Sequence, residues 1–139
     1  MKSLRLFFCS VFLLLLFNSC KKEAGKGGTS FIRGKVYAKY YNKTFTILSD
    51  SAYAPNVNVY IIYGDQYAFG DHQSTGYDGT YEFRYLEKGS YKVYALSRDS
   101  TGTYNGTVNQ WAAKLAVIKD VEITKNKQTV VVPDINTIQ

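Results

Sequence analysis

The chain has little cysteine, a single histidine and no long apolar segment, and each shortage excludes a class of protein. Its two cysteines, Cys9 and Cys20, both lie in the first twenty of 139 residues. The remaining residues therefore offer no disulfide, no cysteine-ligated zinc and no cysteine nucleophile. His72 is the one histidine, which nearly excludes a histidine-ligated metal site. No apolar run approaches the roughly 18–20 residues of a membrane-spanning helix.

The first nineteen residues have the pattern of a cleaved signal peptide. Lys2 and Arg5 form a positive start, Leu6–Phe17 is apolar but too short to span a bilayer, and a polar step leads to Cys20. The sequence therefore predicts a leader over residues 1–19 that is absent from the folded protein.

The end of this leader resembles a bacterial lipoprotein signal. Ser19 and Cys20 match the lipobox, while Phe17 and Asn18 depart from its strict form. The resemblance implies that Cys20 is the lipid attachment site and that the protein is anchored in the bacterial cell envelope, in the outer membrane, with the periplasmic or surface face left open. An ordinary secretory leader with a chance cysteine is the alternative.

The positive charge lies mostly outside the predicted domain. The full chain carries +6, but residues 31–139 hold 12 Lys and Arg against 10 Asp and Glu, which leaves +2. These basic residues are scattered, whereas a nucleic-acid surface needs them clustered. We therefore expect no nucleic-acid partner.

Residues 20–30 are expected to be a flexible tether, because they contain three glycines, several charges and no large apolar side chain. The folded domain is expected to cover residues 31–139. The sequence also predicts a loop over residues 42–54 with a short extended piece near Phe45–Leu48.

Alternating apolar residues predict an all-β fold. Tyr81, Phe83 and Tyr85 alternate with polar residues, Gly89 follows, and Tyr91 and Val93 begin a second alternation. Short strands that follow one another along the chain, with no helical period between them, indicate an immunoglobulin-like or transthyretin-like β-sandwich of about seven strands. The predicted strands are 33–41, 57–63, 67–75, 80–85, 91–95, 117–123 and 129–132.

Two segments carry a family resemblance. They are Ala54-Pro55-Asn56-Val57 and the pattern Thr75-x-x-x-Gly79-x-Tyr81-x-Phe83-x-x-Leu86-x-x-Gly89-x-Tyr91-x-Val93. Together they resemble the carboxypeptidase regulatory-like domain, a transthyretin-like sandwich. The resemblance implies a non-catalytic binding, spacer or accessory module, and it assigns the matching residues to the fold rather than to a site.

The best functional hint is the abundance of tyrosine, thirteen residues of the chain. Exposed aromatic rings can stack on sugars or on partner proteins, although tyrosine also favours strands for structural reasons. The candidate stacking residues are Tyr37, Tyr41, Tyr60, Tyr94 and Trp111, with a glycan or an envelope protein as the partner.

Other chemistry has weaker support. His72 beside Asp71 could suggest a hydrolase, but neighbours along a strand point to opposite faces. Asp65, Asp71 and Asp78 could offer oxygen ligands to calcium, yet their spacing fits no known loop, and a role in forming turns explains these aspartates better. We therefore expect no enzyme activity, no metal and no cofactor.

Overall fold

The structure of the protein, a computed structural model, describes residues 23–139. The predicted signal peptide and Cys20 lie outside the described residues. No helix in the described part is long and apolar enough to cross a membrane. The described residues form nine strands: β1 Lys26–Tyr41, β2 Leu48–Tyr53, β3 Asn58–Tyr63, β4 Asp71–Ser74, β5 Thr80–Leu86, β6 Gly89–Arg98, β7 Lys114–Ile123, β8 Thr129–Val131 and β9 Ile135–Ile138.

The strands form two sheets that pack as a β-sandwich. The long strand β1 organises the first sheet: its first half pairs with β5 and β8, and its second half with β2 and β9. The second sheet is antiparallel throughout, in the order β4-β3-β6-β7. The all-β sandwich predicted from the sequence is confirmed, with nine strands rather than about seven.

The core lies between the inner faces of the two sheets, where every second residue of each strand points inward. Gly34 shows how closely neighbouring strands of the first sheet pack on the inner face. It lies opposite Tyr81, and a Cβ at Gly34 would come within 2.5 Å of the Tyr81 hydroxyl. The fully buried side chains of this core include Ile32, Val36, Val59, Ile61, Phe83, Tyr91, Val93, Ile123 and Ile135.

Four of the residues that carried the family resemblance, Ala54, Val57, Thr75 and Gly79, meet at one place in the structure. The Thr75 hydroxyl donates to the Ala54 carbonyl at 2.5 Å and accepts from the Val57 amide at 2.9 Å. Gly79 has φ of +74°, and a Cβ there would lie 2.8 Å from the Val36 carbonyl oxygen. Thr75 therefore joins the Pro55 segment to the hairpin, and Gly79 permits both the turn and the close approach.

The predicted tether is wrong for its second half, because β1 begins at Lys26 rather than near residue 31. Ala24 packs against the core, and the Gly25 amide donates to the Tyr91 hydroxyl at 3.1 Å. Ser30 is buried, and its hydroxyl donates to the Lys125 carbonyl. The glycines that suggested flexibility let the backbone lie against β5 instead, since a Cβ at Gly28 would overlap the Leu86 carbonyl.

The loop predicted for residues 42–54 is also partly wrong, because β2 occupies Leu48–Tyr53 rather than Phe45–Leu48. This strand pairs with the second half of β1, although most of its side chains are exposed. A polar strand of this kind is held by backbone pairing and shows no inward apolar alternation, which is why its sequence resembles a loop.

Candidate binding surface

Alternation along β3 and β6 places a row of side chains on the solvent face of the second sheet. Val59 and Ile61 point into the core, so Tyr60 points outward, and the same alternation turns Tyr94 outward on β6. The register aligns His72, Tyr60, Tyr94 and Ile118 directly across β4, β3, β6 and β7. At about 4.8 Å between strands, this row extends over about 14 Å.

The three rings of the row stack face to face. The centroids of Tyr60 and Tyr94 are 5.0 Å apart with an interplanar angle of 16°, and those of Tyr60 and His72 are 5.8 Å apart at 29°. Rings lying side by side in one plane could not approach to 5.0 Å, so these rings stand upright on the sheet. Both faces of Tyr60 are therefore covered, one by each neighbour.

Phe69, from the β3–β4 turn, lies across the top of this stack. Its ring is 5.0 Å from Tyr60 at 64° and 6.2 Å from His72 at 87°. Because the faces of Tyr60 are occupied, the edge of Tyr60 meets the face of Phe69 in an edge-to-face contact. Phe69 is 50% exposed, so part of its ring remains accessible to a ligand.

Polar side chains border the aromatic surface on two sides. The Ser74 hydroxyl donates to Asn58 Oδ1 at 2.8 Å, and Lys92 Nζ lies 3.1 Å from Asp120 Oδ1. Asn58 and Lys92 lie two residues before Tyr60 and Tyr94 on the same sheet face. We use the name aromatic surface for these two polar pairs together with the side chains of Phe69, Tyr60, Tyr94, His72 and Ile118.

The hydroxyl of Tyr94 keeps its proton in the neutral pH range and can donate a hydrogen bond. Partial burial raises its pKa, with the adjacent Tyr60 hydroxyl as a smaller cause. The aromatic surface therefore offers an apolar ring face together with neutral hydroxyl, amide and charged groups at its border. This combination suits a ligand with both C–H and O–H groups.

The structure brings together only two of the five predicted stacking residues, Tyr60 and Tyr94. Tyr37 lies on the first sheet, edge-on to Tyr53 at 5.3 Å, with its hydroxyl donating to Ser51. Tyr41, also on β1, contacts Phe45 at 6.2 Å. The five candidates therefore do not form one group, because β1 and β3 belong to different sheets.

Trp111 is 78% exposed in the loop between β6 and β7. This loop touches the loop after β1, where the Gln110 amide donates to the Lys43 carbonyl at 2.8 Å. Trp111 thus belongs to the loop end that also holds Tyr41, away from the aromatic surface.

Phe69 was not predicted from the sequence because its neighbours show no alternation, and only the register of β4 against β3 reveals its position.

The acidic and histidine candidates do not converge. His72 is exposed, and its ring contacts are aromatic; no hydrogen bond joins its imidazole to a carboxylate within residues 23–139. Asp71 pairs with Lys26 at 2.8 Å, and Asp78 accepts from the Thr80 hydroxyl at 2.6 Å. Over the described residues no group of three or more potential ligands could hold a metal.

A cleft of about 980 Å³ opens between the edge strands β4 and β5, and of the aromatic surface only Ser74 lines it. Lys26, Arg33, Lys35 and Arg84 are among its charged lining residues. The hydroxyl of Tyr81 borders it, buried and without a hydrogen-bond partner among the described residues, and burial raises the pKa of this tyrosine. The five predicted stacking residues do not line this cleft.

No family model and no curated protein matches the chain. A solved structure from Pseudomonas aeruginosa, named as a candidate carbohydrate binding protein, aligns with 79% of this chain and 91% of its own at 12% identity and a TM-score of 0.45. Similarity of this degree is too low to transfer either the topology or the ligand to this chain.

Proposed function

We propose that the protein is a lipid-anchored, non-catalytic binding module of the bacterial cell envelope, and that it binds carbohydrate at the aromatic surface. The observation that carries the binding proposal is the half-exposed ring of Phe69, which packs at a steep angle against the rings of Tyr60 and His72. The leader that ends at Ser19 and Cys20 supports the anchor. The resemblance to the carboxypeptidase regulatory-like domain is part of the same proposal.

Carbohydrate fits the aromatic surface because a pyranose ring has one apolar face of C–H groups and a rim of hydroxyls. The face can stack on Phe69, while Asn58, Ser74 and Lys92 are placed to bond the rim. The ring of Phe69 is positioned before a ligand arrives, so binding orders little of the protein.

A protein partner is the second candidate, and Ile118 is the observation that favours it. Its side chain is 50% exposed and extends the row beyond Tyr94. A continuous apolar strip of this kind suits a protein interface better than a single sugar ring.

Calorimetric titration of the mature chain with a panel of neutral and acidic oligosaccharides tests the proposal. About half of the roughly 200 Å² of a phenylalanine is available to a ligand, which at about 25 cal/mol per Å² is at most about 2.5 kcal/mol. We therefore expect Phe69→Ala to weaken binding by up to about 60-fold and Phe69→Tyr to retain it.

The matched control is Tyr104→Ala, which removes an exposed ring from the β6–β7 loop and should leave affinity unchanged. Equal losses for Phe69→Ala and Tyr104→Ala would refute the site. Absence of saccharide binding, together with capture of an envelope protein that Phe69→Ala abolishes, would favour the protein partner instead.

The anchor is tested separately by replacing Cys20 with Ala. The variant should leave the membrane fraction and lose incorporation of labelled fatty acid, because two or more acyl chains hold a protein where none would. A Cys20→Ala protein that still sediments with membranes would refute the lipid anchor.

A further inference from the structure

The first described residues lie at one end of the sandwich, which we name the anchor end. It consists of the turns at residues 64–70, 87–88 and 124–128. Ala24 lies against the first two of these turns: a Cβ at Gly89 would lie 2.8 Å from Ala24 Cβ, and one at Gly64 would lie 3.8 Å from it. Gly89 pairs with Ile123, so the third turn starts beside the same point.

The chain leaves very little length between this end and Cys20. Four residue steps separate Cys20 from Ala24, and an extended chain covers at most about 3.6 Å per step, or about 14 Å. A tether reaching to residue 30 would have allowed about 35 Å. An acyl chain on Cys20 would therefore hold the anchor end against the bilayer rather than at a distance from it.

The side chains of the anchor end fit an anionic lipid surface. Tyr67, in the turn at residues 64–70, is fully exposed, and tyrosine favours the membrane–water interface. Lys88, Lys125 and Lys127 are exposed in the other two turns, and Lys21 and Lys22 directly follow Cys20 in the sequence. Glu23, Asp65 and Glu87 oppose these five lysines, which leaves a net charge of +2.

We propose that the sandwich rests with its anchor end on an anionic phospholipid surface, with Tyr67 in the headgroup region and its lysines against the phosphates. The proposal rests on the proposed anchor at Cys20. It places the strands upright on the membrane. Nine steps along β6, from Gly89 to Arg98, then put the opposite loop end about 30 Å from the lipid.

The single tryptophan of the chain makes this orientation measurable, because Trp111 lies in the loop at the far end. The mature chain has one thiol, Cys20, which can be coupled to maleimide-bearing lipid in vesicles of phosphatidylethanolamine and phosphatidylglycerol. A second protein carries Tyr67→Trp and Trp111→Phe, so its one tryptophan is at the anchor end. Brominated lipid quenches the fluorescence of tryptophans that touch the bilayer.

We expect strong quenching of the tryptophan at position 67 and none of Trp111. Replacing Lys88, Lys125 and Lys127 with Gln should lower the quenching at position 67 by at least half, and so should vesicles without phosphatidylglycerol. Equal quenching at both positions, or none at either, would overturn the orientation. No effect of the lysine changes would overturn the role of the anionic surface.

Coupling through maleimide fixes the chain at Cys20 whether or not cells acylate it. Failure of the orientation is therefore distinct from failure of the anchor, which the Cys20→Ala fractionation measures. Both reporter sites are exposed side chains, so neither substitution removes a core contact.

Discussion

Gly28→Ala should release the docked N-terminal segment without unfolding the sandwich. A Cβ at Gly28 would overlap the Leu86 carbonyl, so the segment before it must move. The move breaks the bond from the Glu87 amide to the Gly25 carbonyl, 2.9 Å, and the bond from the Gly25 amide to Tyr91. Each is worth about 1 kcal/mol, and the partly buried methyl of Ala24 adds at most about 0.8 kcal/mol.

These contacts stabilise the docked segment by about 3 kcal/mol in total. Release of the segment restores backbone conformational entropy worth about 1 kcal/mol per residue, which opposes docking. The net preference for docking is therefore small, and one steric clash should reverse it. The rest of β1 keeps its pairing with β5 and β8 beyond Ser30. Global unfolding should consequently change much less than local opening.

Hydrogen exchange measures this release at the Glu87 amide. In Gly28→Ala its exchange should be at least tenfold faster, the equivalent of about 1.4 kcal/mol, while amides of β6 stay protected. Gly25→Ala is the matched control, because a Cβ there meets nothing within 4 Å. Unchanged protection of Glu87 in Gly28→Ala, or equal loss in both variants, would refute the steric argument.

Three further predictions concern the interior and one loop. Thr75→Val should lower the free energy of unfolding in urea by about 2–5 kcal/mol, because the buried Ala54 carbonyl and Val57 amide lose their partner, whereas Thr75→Ser should cost about 1 kcal/mol. Tyr81→Phe should raise that free energy by about 1 kcal/mol or more, since its buried hydroxyl has no partner among the described residues; a destabilised variant would refute this. Hydrogen bonds from the Tyr104 amide and the Thr101 hydroxyl lower the pKa of Asp99 to about 2. Asp99→Asn should therefore be less stable than the wild type by its full amount above about pH 4, and this difference should vanish as pH falls from about 4 to 2. A pH-independent difference in urea midpoint between the two proteins would contradict the prediction.

Alternation and turn residues predicted the sandwich because alternation shows which side chains of a strand face the core and turn residues show where a strand ends. Tyr81 and Phe83 on β5, and Tyr91 and Val93 on β6, are buried as their spacing requires. The same signal fails where a strand is held by backbone pairing. β2 buries no large apolar side chain. The segment Lys26–Ser30 pairs with β5, and its glycines allow the two backbones to approach closely because they have no Cβ. Glycine content alone could not distinguish that strand from a tether.

The candidate site was only half predictable, for a different reason. Alternation correctly turned Tyr60 and Tyr94 outward, but it cannot say which strands are neighbours. Tyr37 on β1 satisfies the same pattern and lies on the other sheet. Phe69 takes its place from the register between Tyr60 and His72 across β3 and β4, which depends on long-range pairing rather than on local sequence.

The two proposals constrain each other through one turn. Tyr67 and Phe69 are two residues apart in the β3–β4 turn, so seating Tyr67 among headgroups brings the exposed face of Phe69 close to the bilayer. That face looks sideways, since it covers the outer face of a sheet whose strands stand upright. We therefore expect a ligand that lies along the membrane surface, such as an extended glycan chain, because a bulky globular partner would meet the lipid before it met Phe69.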